Sequence, residues 1–338
     1  MIQRLKRREL SIQELMVVTF TKAAAAEMKA RIGVKLAEEF QATGDEYLEE
    51  QLNMLPSAHI STLHSFCQWV IRSYFYKLDI DPSFTIGNEG ELALMRYDVL
   101  DKILLEAYEQ GLYNIYDVSD MFSTERSDQV LRDTVFQIYN FALAQSQPMR
   151  WLDQVCTTYE SALHQTLRET TWGRLFWDEQ QRQIEYLLER YEEAQRLATL
   201  GNGFDKWMEK VSELQTLLQA MQKADTWDAM HLGVVGIGGF SFPVLRATKA
   251  MNESDPAILS EIKAILSEGK DILQAMPKGV FAITEADWQE QIEYLVPLVQ
   301  GIIGLVKRFH GDFQQAKQEA GMIDFSDLEH LCLALLVD

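Results

Sequence analysis

The run MVVTFTKAAAAEMKARI (16–32) constrains the fold more than any other stretch, because a strand pattern passes into a helix pattern with no turn residue between them. MVVTF (16–20) is short, apolar and β-branched, the kind of run buried in parallel sheets. Residues 22 to 40 follow as a helix, with Met28, Ile32 and Leu36 at four-residue spacing. AHISTLH (58–64) reads as a second strand. SFCQWVIRSYF (65–75) then begins a second helix, whose Phe66, Trp69, Val70, Ser73 and Tyr74 share one face. Strand, helix, strand, helix is the opening of a parallel α/β sheet. The segment DIDPSFTIGNEG (79–90), rich in Pro, Gly and acids, is expected to leave that unit.

From about residue 88 to 305 no stretch reads as sheet. Amphipathic helices begin at Tyr97. Ile184, Leu187, Leu188, Tyr191, Ala194 and Leu197 form one apolar stripe, and Trp207, Val211, Leu214, Leu218 and Met221 form another. GNGFDK (201–206) between them predicts an antiparallel helical hairpin. Such stripes are core and carry no chemistry. GVVGIGGF (233–240) is expected to turn or flex; it lacks both the GxGxxG spacing and a preceding strand of a dinucleotide site. The fold expected is mainly α with a small parallel β remnant.

A chain of 338 residues with 47% hydrophobic content can bury a sizeable core and hold two domains, or one domain with a large insertion. Cys67, Cys156 and Cys332 are too few and scattered for a disulfide framework, which points to a reducing, cytoplasmic setting. MIQRLKRREL has no apolar h-region and no run of 18 apolar residues follows, so neither a signal peptide nor a membrane span is expected. The net charge of −20 argues against nucleic acid at first sight. Its distribution argues otherwise: residues 1–35 carry eight Lys/Arg against three Asp/Glu, a basic head on an acidic body.

No phosphate-binding loop is present. The only Gly-Lys pair, Gly269-Lys270, is followed by Asp271 and has Ala264 where the first glycine belongs. No HExxH, nucleophile elbow or histidine pair at metal spacing occurs, so no catalytic residue, bound cofactor or metal is expected in this chain. Ser326 and Glu329 satisfy the S-x-x-E capping pattern ahead of Leu328, Leu331 and Leu335, which makes Asp324, Phe325 and Asp327 structural.

Three stretches, in order, resemble superfamily 1 DNA helicases of the UvrD, PcrA and RecB group. VVTFTKAAAAEMKARI (17–32) resembles their motif Ia, in the form most like the AddA family of helicase–nuclease subunits. HISTLHSFC (59–67) resembles the next DNA-contacting motif, T-[IL]-H-[SG]-F, and MIDFSDLEHL (322–331) resembles the DFxDL element. The resemblance implies a partial RecA-like α/β lobe over 1–87 and 306–338, carrying an all-helical insertion subdomain over 88–305. It implies single-strand contacts by Thr19, Phe20, Thr21 and Lys22, repeated by Thr62, His64, Ser65 and Phe66. Phe20 either packs in the sheet or stacks on a base. The small side chains of Ala23 to Ala26 suit close approach of a nucleic acid backbone, and equally well suit packing on the sheet.

A helicase of this group needs a Walker A loop before motif Ia and a DExx box after DFxDL. Neither is present, so the resemblance implies an internal piece of an AddA-like protein, inactive alone. The parent would be a 3′-to-5′ ATP- and magnesium-dependent helicase and exonuclease that resects double-strand DNA ends in recombinational repair, with an AddB-type partner. A RecB- or UvrD-type parent would change the nuclease assignment but not the motor. The alternative of another class is a helical protein-interaction module with no DNA role, suggested by the −25 carried by residues 36–338.

Overall fold

Every helix start in the N-terminal region that follows a strand is fixed by a side chain placed to cap it. The computed structural model describes residues 2–78, 80–81, 83–122, 127–244, 246–253 and 255–337. Asp79 and Pro82 of the 79–90 segment lie outside the described residues, as do Met1 and Asp338 at the outer limits expected for the lobe. The elements run α1 (Ile2–Lys6), β1 (Met16–Thr19), α2 (Lys22–Thr43), α3 (Glu46–Met54), β2 (His59–Thr62), α4 (Leu63–Tyr74) and β3 (Thr85–Ile86). Helices α5 (Glu89–Gln110), α6 (Ile115–Phe122), α7 (Gln129–Leu143), α8 (Pro148–Ala162), α9 (Thr171–Ala198), α10 (Asp205–Gln222) and α11 (Trp227–Gly238) follow. The chain continues through α12 (Lys249–Asn252), α13 (Pro256–Ala275), α14 (Glu285–Glu319), β4 (Met322–Ile323) and α15 (Phe325–Val337).

Contacts divide the chain into two units, residues 1–152 with 304–338, and residues 153–303. Helices α5, α6 and α7 belong to the first unit.

In the first unit β1 and β2 pair in parallel, with Thr19 opposite Thr62. Val17 packs on a core of Leu5, Ile12, Ile32, Leu36, Leu48 and Ile60, while Met16 and Val18 on the other face stay exposed. The buried residues of α2 are Ala25, Ile32 and Leu36; Met28, expected on the same stripe, is exposed. Gly44 ends α2 in a left-handed conformation (φ 65°) that suits a residue without Cβ. The buried face of α4 is Cys67, Val70 and Ile71, with Phe66 packed beside it. Trp69 and Tyr74 lie outside it, contrary to the face read from the sequence.

The 79–90 segment leaves the β1–β2 sheet and contributes to a second one, in which Thr85 and Ile86 pair in parallel with Met322 and Ile323. Two-residue strands carry too little alternation to be read from sequence. The cap of α15 also differs from expectation. Asp324, not Ser326, caps the helix: Asp327 N–H donates to Asp324 Oδ1 (2.9 Å) and Asp324 N–H donates to Asp327 Oδ2 (2.8 Å). Glu329 is thereby left free of any capping role.

Both carboxylates also receive Lys317 of α14, whose ammonium is buried 2.9 Å from Asp324 and 2.6 Å from Asp327. Burial alone would raise the Asp324 pKa, but the charge and hydrogen bond of Lys317, the Asp327 N–H and the Arg96 charge together hold it below the ordinary carboxylate value.

In the second unit the expected hairpin forms. Gln195 late in α9 bonds Ser212 and Gln215 of α10, and Gln181 early in α9 reaches Met221 O at the end of α10, so the helices are antiparallel. Ile184, Leu187, Tyr191 and Ala194 meet Trp207, Val211, Leu214, Leu218 and Met221 in one core. GVVGIGGF is no turn: residues 233–238 complete α11. A Cβ at Gly233 would stand 2.2 Å from Met221 Cγ, so this glycine admits a close helix contact.

The buried ion trio yields a prediction. Asp324, depressed in the folded state, contributes stability above the unfolded value of about 3.9, and that contribution is lost as pH falls through the lower folded value. Urea titrations should therefore show wild-type stability falling below about pH 4. Lys317→Met should cost about 3–5 kcal/mol at pH 7 by stranding two buried carboxylates. Stability of that variant should then rise on acidification from pH 7 to 5, the opposite sign.

Candidate nucleic-acid interface

Threonine opens both helices that follow the paired strands. Thr21 Oγ1 accepts from Ala24 N–H (3.1 Å) to cap α2, and Thr62 Oγ1 accepts from Ser65 N–H (3.3 Å) to cap α4. A cap is worth about 1 kcal/mol, whereas each buried Leu, Ile, Val or Phe contributes about 1.5–3 kcal/mol. Packing therefore holds these helices, and the caps decide where they begin. Because Thr19 and Thr62 are opposed across neighbouring strands, the two helix starts are abreast, about one strand spacing of 4.8 Å apart at the strand ends.

Each start leaves backbone donors over. The N–H groups of the first turn of an α-helix have no acceptor within that helix, and α2 and α4 begin at Lys22 and Leu63. Free N–H groups at the positive end of a helix dipole suit an anion. Thr21 Oγ1, accepting in the cap, keeps its own proton to donate. Thr19 Oγ1 donates inward to Thr21 O (3.0 Å) and so fixes the turn. Thr62 and Ser65 hydroxyls bond each other at 2.8 Å.

Phe20 is fully exposed (103%). It therefore does not pack in the sheet, the first of its two expected roles. Phe66 does the reverse and packs on the core of Val70, Ile71 and Leu328, where it supports the α4 junction from beneath. Of the four alanines only Ala25 is buried; Ala23, Ala24 and Ala26 are exposed and give α2 a low, smooth first turn. Packing on the sheet accounts for one alanine of four.

The basic head is largely neutralised. Arg4 and Arg7 meet Glu9, Lys6 meets Glu39, Arg8 meets Asp45, Arg31 meets Glu27 and Lys35 meets Glu38. Lys29 donates to Pro56 O (2.6 Å). Among the described residues this leaves Lys22, at the α2 start, as the cation of that helix with no partner. The net charge of the first 35 residues thus overstates their attraction for an anion, and placement matters more.

His64 sits in the first turn of α4, half exposed, with Nε2 3.1 Å from Glu329 Oε1 and its ring 4.8 Å from the Phe325 ring. The DFxDL helix therefore touches the second junction directly. Sequence reasoning missed Glu329 because it was assigned to the cap that Asp327 occupies.

The Gly269-Lys270 pair lies inside α13, where a Cβ at Gly269 would stand 2.4 Å from Tyr191 Oη, so it forms no phosphate-binding loop. Among the described residues no cluster of three His, Cys, Asp or Glu is placed to hold a metal ion, and no helix is long and apolar enough to cross a membrane. A cavity of about 650 Å³ in the first unit is walled by Phe84, Leu143, Met149, His310, Lys317 and Leu331. The junctions at Thr21 and Thr62 do not line it.

Comparison with known proteins agrees with this architecture. An ATP-dependent helicase/nuclease subunit from Geobacillus kaustophilus is 33% identical over 331 residues, covering 97% of this chain and 26% of that protein. Its namesake from Moorella thermoacetica is 33% identical over 349 residues, covering 100% and 24%. That of Oceanobacillus iheyensis is 31% identical over 333 residues, covering 97% and 26%. The chain thus spans about a quarter of the length of these relatives. The model of the UvrD/REP helicase N-terminal domain matches residues 1–296. With most of its length matched and its two capped junctions abreast, the chain belongs to the UvrD/REP helicase N-terminal domain family.

Proposed function

We propose that this chain grips single-stranded DNA within an ATP-driven helicase and nuclease of the AddA kind. The observation that carries the reading is the β1–β2 pairing, which sets two threonine-capped helix starts abreast, with exposed Phe20 and uncommitted Lys22 at one of them. Single-strand binders without sequence preference need donors for the backbone and an aromatic platform for bases. First-turn N–H groups of α2 and α4 supply the donors. Lys22 neutralises a phosphate, the Thr21 and Thr62 hydroxyls and the His64 ring add polar contacts, and Phe20 stacks on a base. Thr19, Ser65 and Phe66 act behind this surface by holding its turns and packing its base.

On this reading residues 1–87 and 306–338 form part of a RecA-like lobe, and the helices of 88–305 form its insertion. The complete protein translocates 3′ to 5′ using ATP and magnesium, resects double-strand DNA ends for recombinational repair in the cytoplasm, and works with a second, AddB-type subunit. The relatives' designation as helicase/nuclease subunits supports that assignment. The present chain supplies no step of nucleotide chemistry, since its only Gly-Lys pair is buried in a helix.

Two outcomes follow. In a salt-titrated fluorescence assay with oligothymidine, Phe20→Ala should weaken binding by about 1–3 kcal/mol, the range for one base stack. Lys22→Ala should lower the slope of log affinity against log salt by about 0.7, one single-strand phosphate contact; His64→Ala should weaken binding with an unchanged melting temperature. Binding indifferent to all three substitutions would favour the protein-docking module instead. Separately, the purified chain should turn over ATP no faster than background with DNA and magnesium present, and measurable turnover would reject the assignment of nucleotide chemistry elsewhere.

A further inference from the structure

Glu329 occupies the place at the second junction where an anion from DNA would be expected. Its carboxylate stands 3.1 Å from His64 Nε2 at the start of α4, although the two residues are 265 positions apart. Both side chains are about half exposed, at 42% and 52%, so each is free to change partner. Phe325, one turn earlier on α15, lies against the imidazole face at 4.8 Å and limits the directions in which the ring can turn. One turn deeper along the same two helices, Cys67 and Cys332 are buried, and burial first, then the hydrogen bond and charge of Cys332, push the Cys67 thiol up to about 12. That thiol stays neutral and places no thiolate charge beside Glu329.

A carboxylate accepts and cannot donate, so His64 must give Glu329 its Nε2 proton. In the neutral ring the other nitrogen is then an acceptor, which repels a phosphate oxygen instead of binding it. His64 can donate Nε2–H to a strand only by releasing Glu329.

We propose that Glu329 is a resident competitor for the strand: it takes the His64 Nε2 proton that a DNA phosphate would otherwise take, so strand binding and α15 compete for one donor. The proposal rests on the single-strand grip described above and adds a consequence to it. The strand, on arrival, frees Glu329 and loosens one of the ties between α4 and α15. The start of α15 remains fixed by the buried Lys317, Asp324 and Asp327 trio, so the release is confined to the exposed end of the interface. Glu329 is thus a positioning residue, acting on DNA through His64.

A double-mutant cycle on the 338-residue chain tests it, with labelled oligothymidine of about 16 nucleotides as the probe. Melting curves of each variant confirm intact folding. Glu329→Ala should tighten binding about three- to fivefold, the scale of one exposed charge pair. In a His64→Ala background the same substitution should change affinity by less than about 1.5-fold, within the usual error of additivity. Equal tightening in both backgrounds would show that Glu329 acts only as a bare negative charge, and would overturn the proposal while leaving the grip intact. Weaker or unchanged binding by Glu329→Ala would overturn it as well, showing that Glu329 does not compete. If the parent chain fails to bind oligothymidine at any salt concentration, the grip fails and the proposal with it.

Discussion

The hydrogen-bonded register between β1 and β2 is the constraint on which the rest of this site depends. Opposing Thr19 and Thr62 brings the ends of two strands level. Each strand then opens at once into a capped helix, so two helix N-termini emerge at one edge. A shift of register by one residue would reverse the strand faces, moving Val17 out of its core and Met16 into it. The packing around Ile32, Leu36 and Ile60 opposes that shift, so the apolar core on one side of the sheet fixes the polar groups at its end.

Electrostatics alone does not account for the proposed grip. The chain carries a net charge of −20, and the cations of its basic head are mostly bound to nearby carboxylates. What remains is a local arrangement of helix-end donors, hydroxyls, one uncommitted lysine and one exposed aromatic ring. Such a surface binds a strand by shape and stacking with few counterions released, which gives weak salt dependence.

The parts legible in the sequence were those written in several residues at once. The two strand-to-helix junctions, the hairpin of α9 and α10 and the helical character of 88–305 all rest on patterns many residues long, which single exceptions do not disturb. The misreadings came where a few residues decide. Two-residue strands at 85–86 and 322–323 have no period to detect. Residues 233–238 look like a flexible stretch by composition, yet Gly233 serves a helix contact whose partner, Met221, is visible only in three dimensions. The α15 cap moved by two residues because Asp324 and Asp327 satisfy each other and also receive Lys317, a tertiary contact no local pattern contains. Phe20 was undecided for the same reason: whether a neighbour covers it is a question of packing.

The central claim is that both junctions meet the same strand together, and residue-resolved amide hydrogen exchange tests it most directly. The first-turn amides of Lys22, Ala23, Leu63 and His64 should exchange quickly in the chain alone. On saturation with a single-stranded oligonucleotide all four should slow in parallel, with the same dependence on oligonucleotide concentration. Protection at only one junction, or protection confined to residues 153–303 with these amides unchanged, would contradict the account.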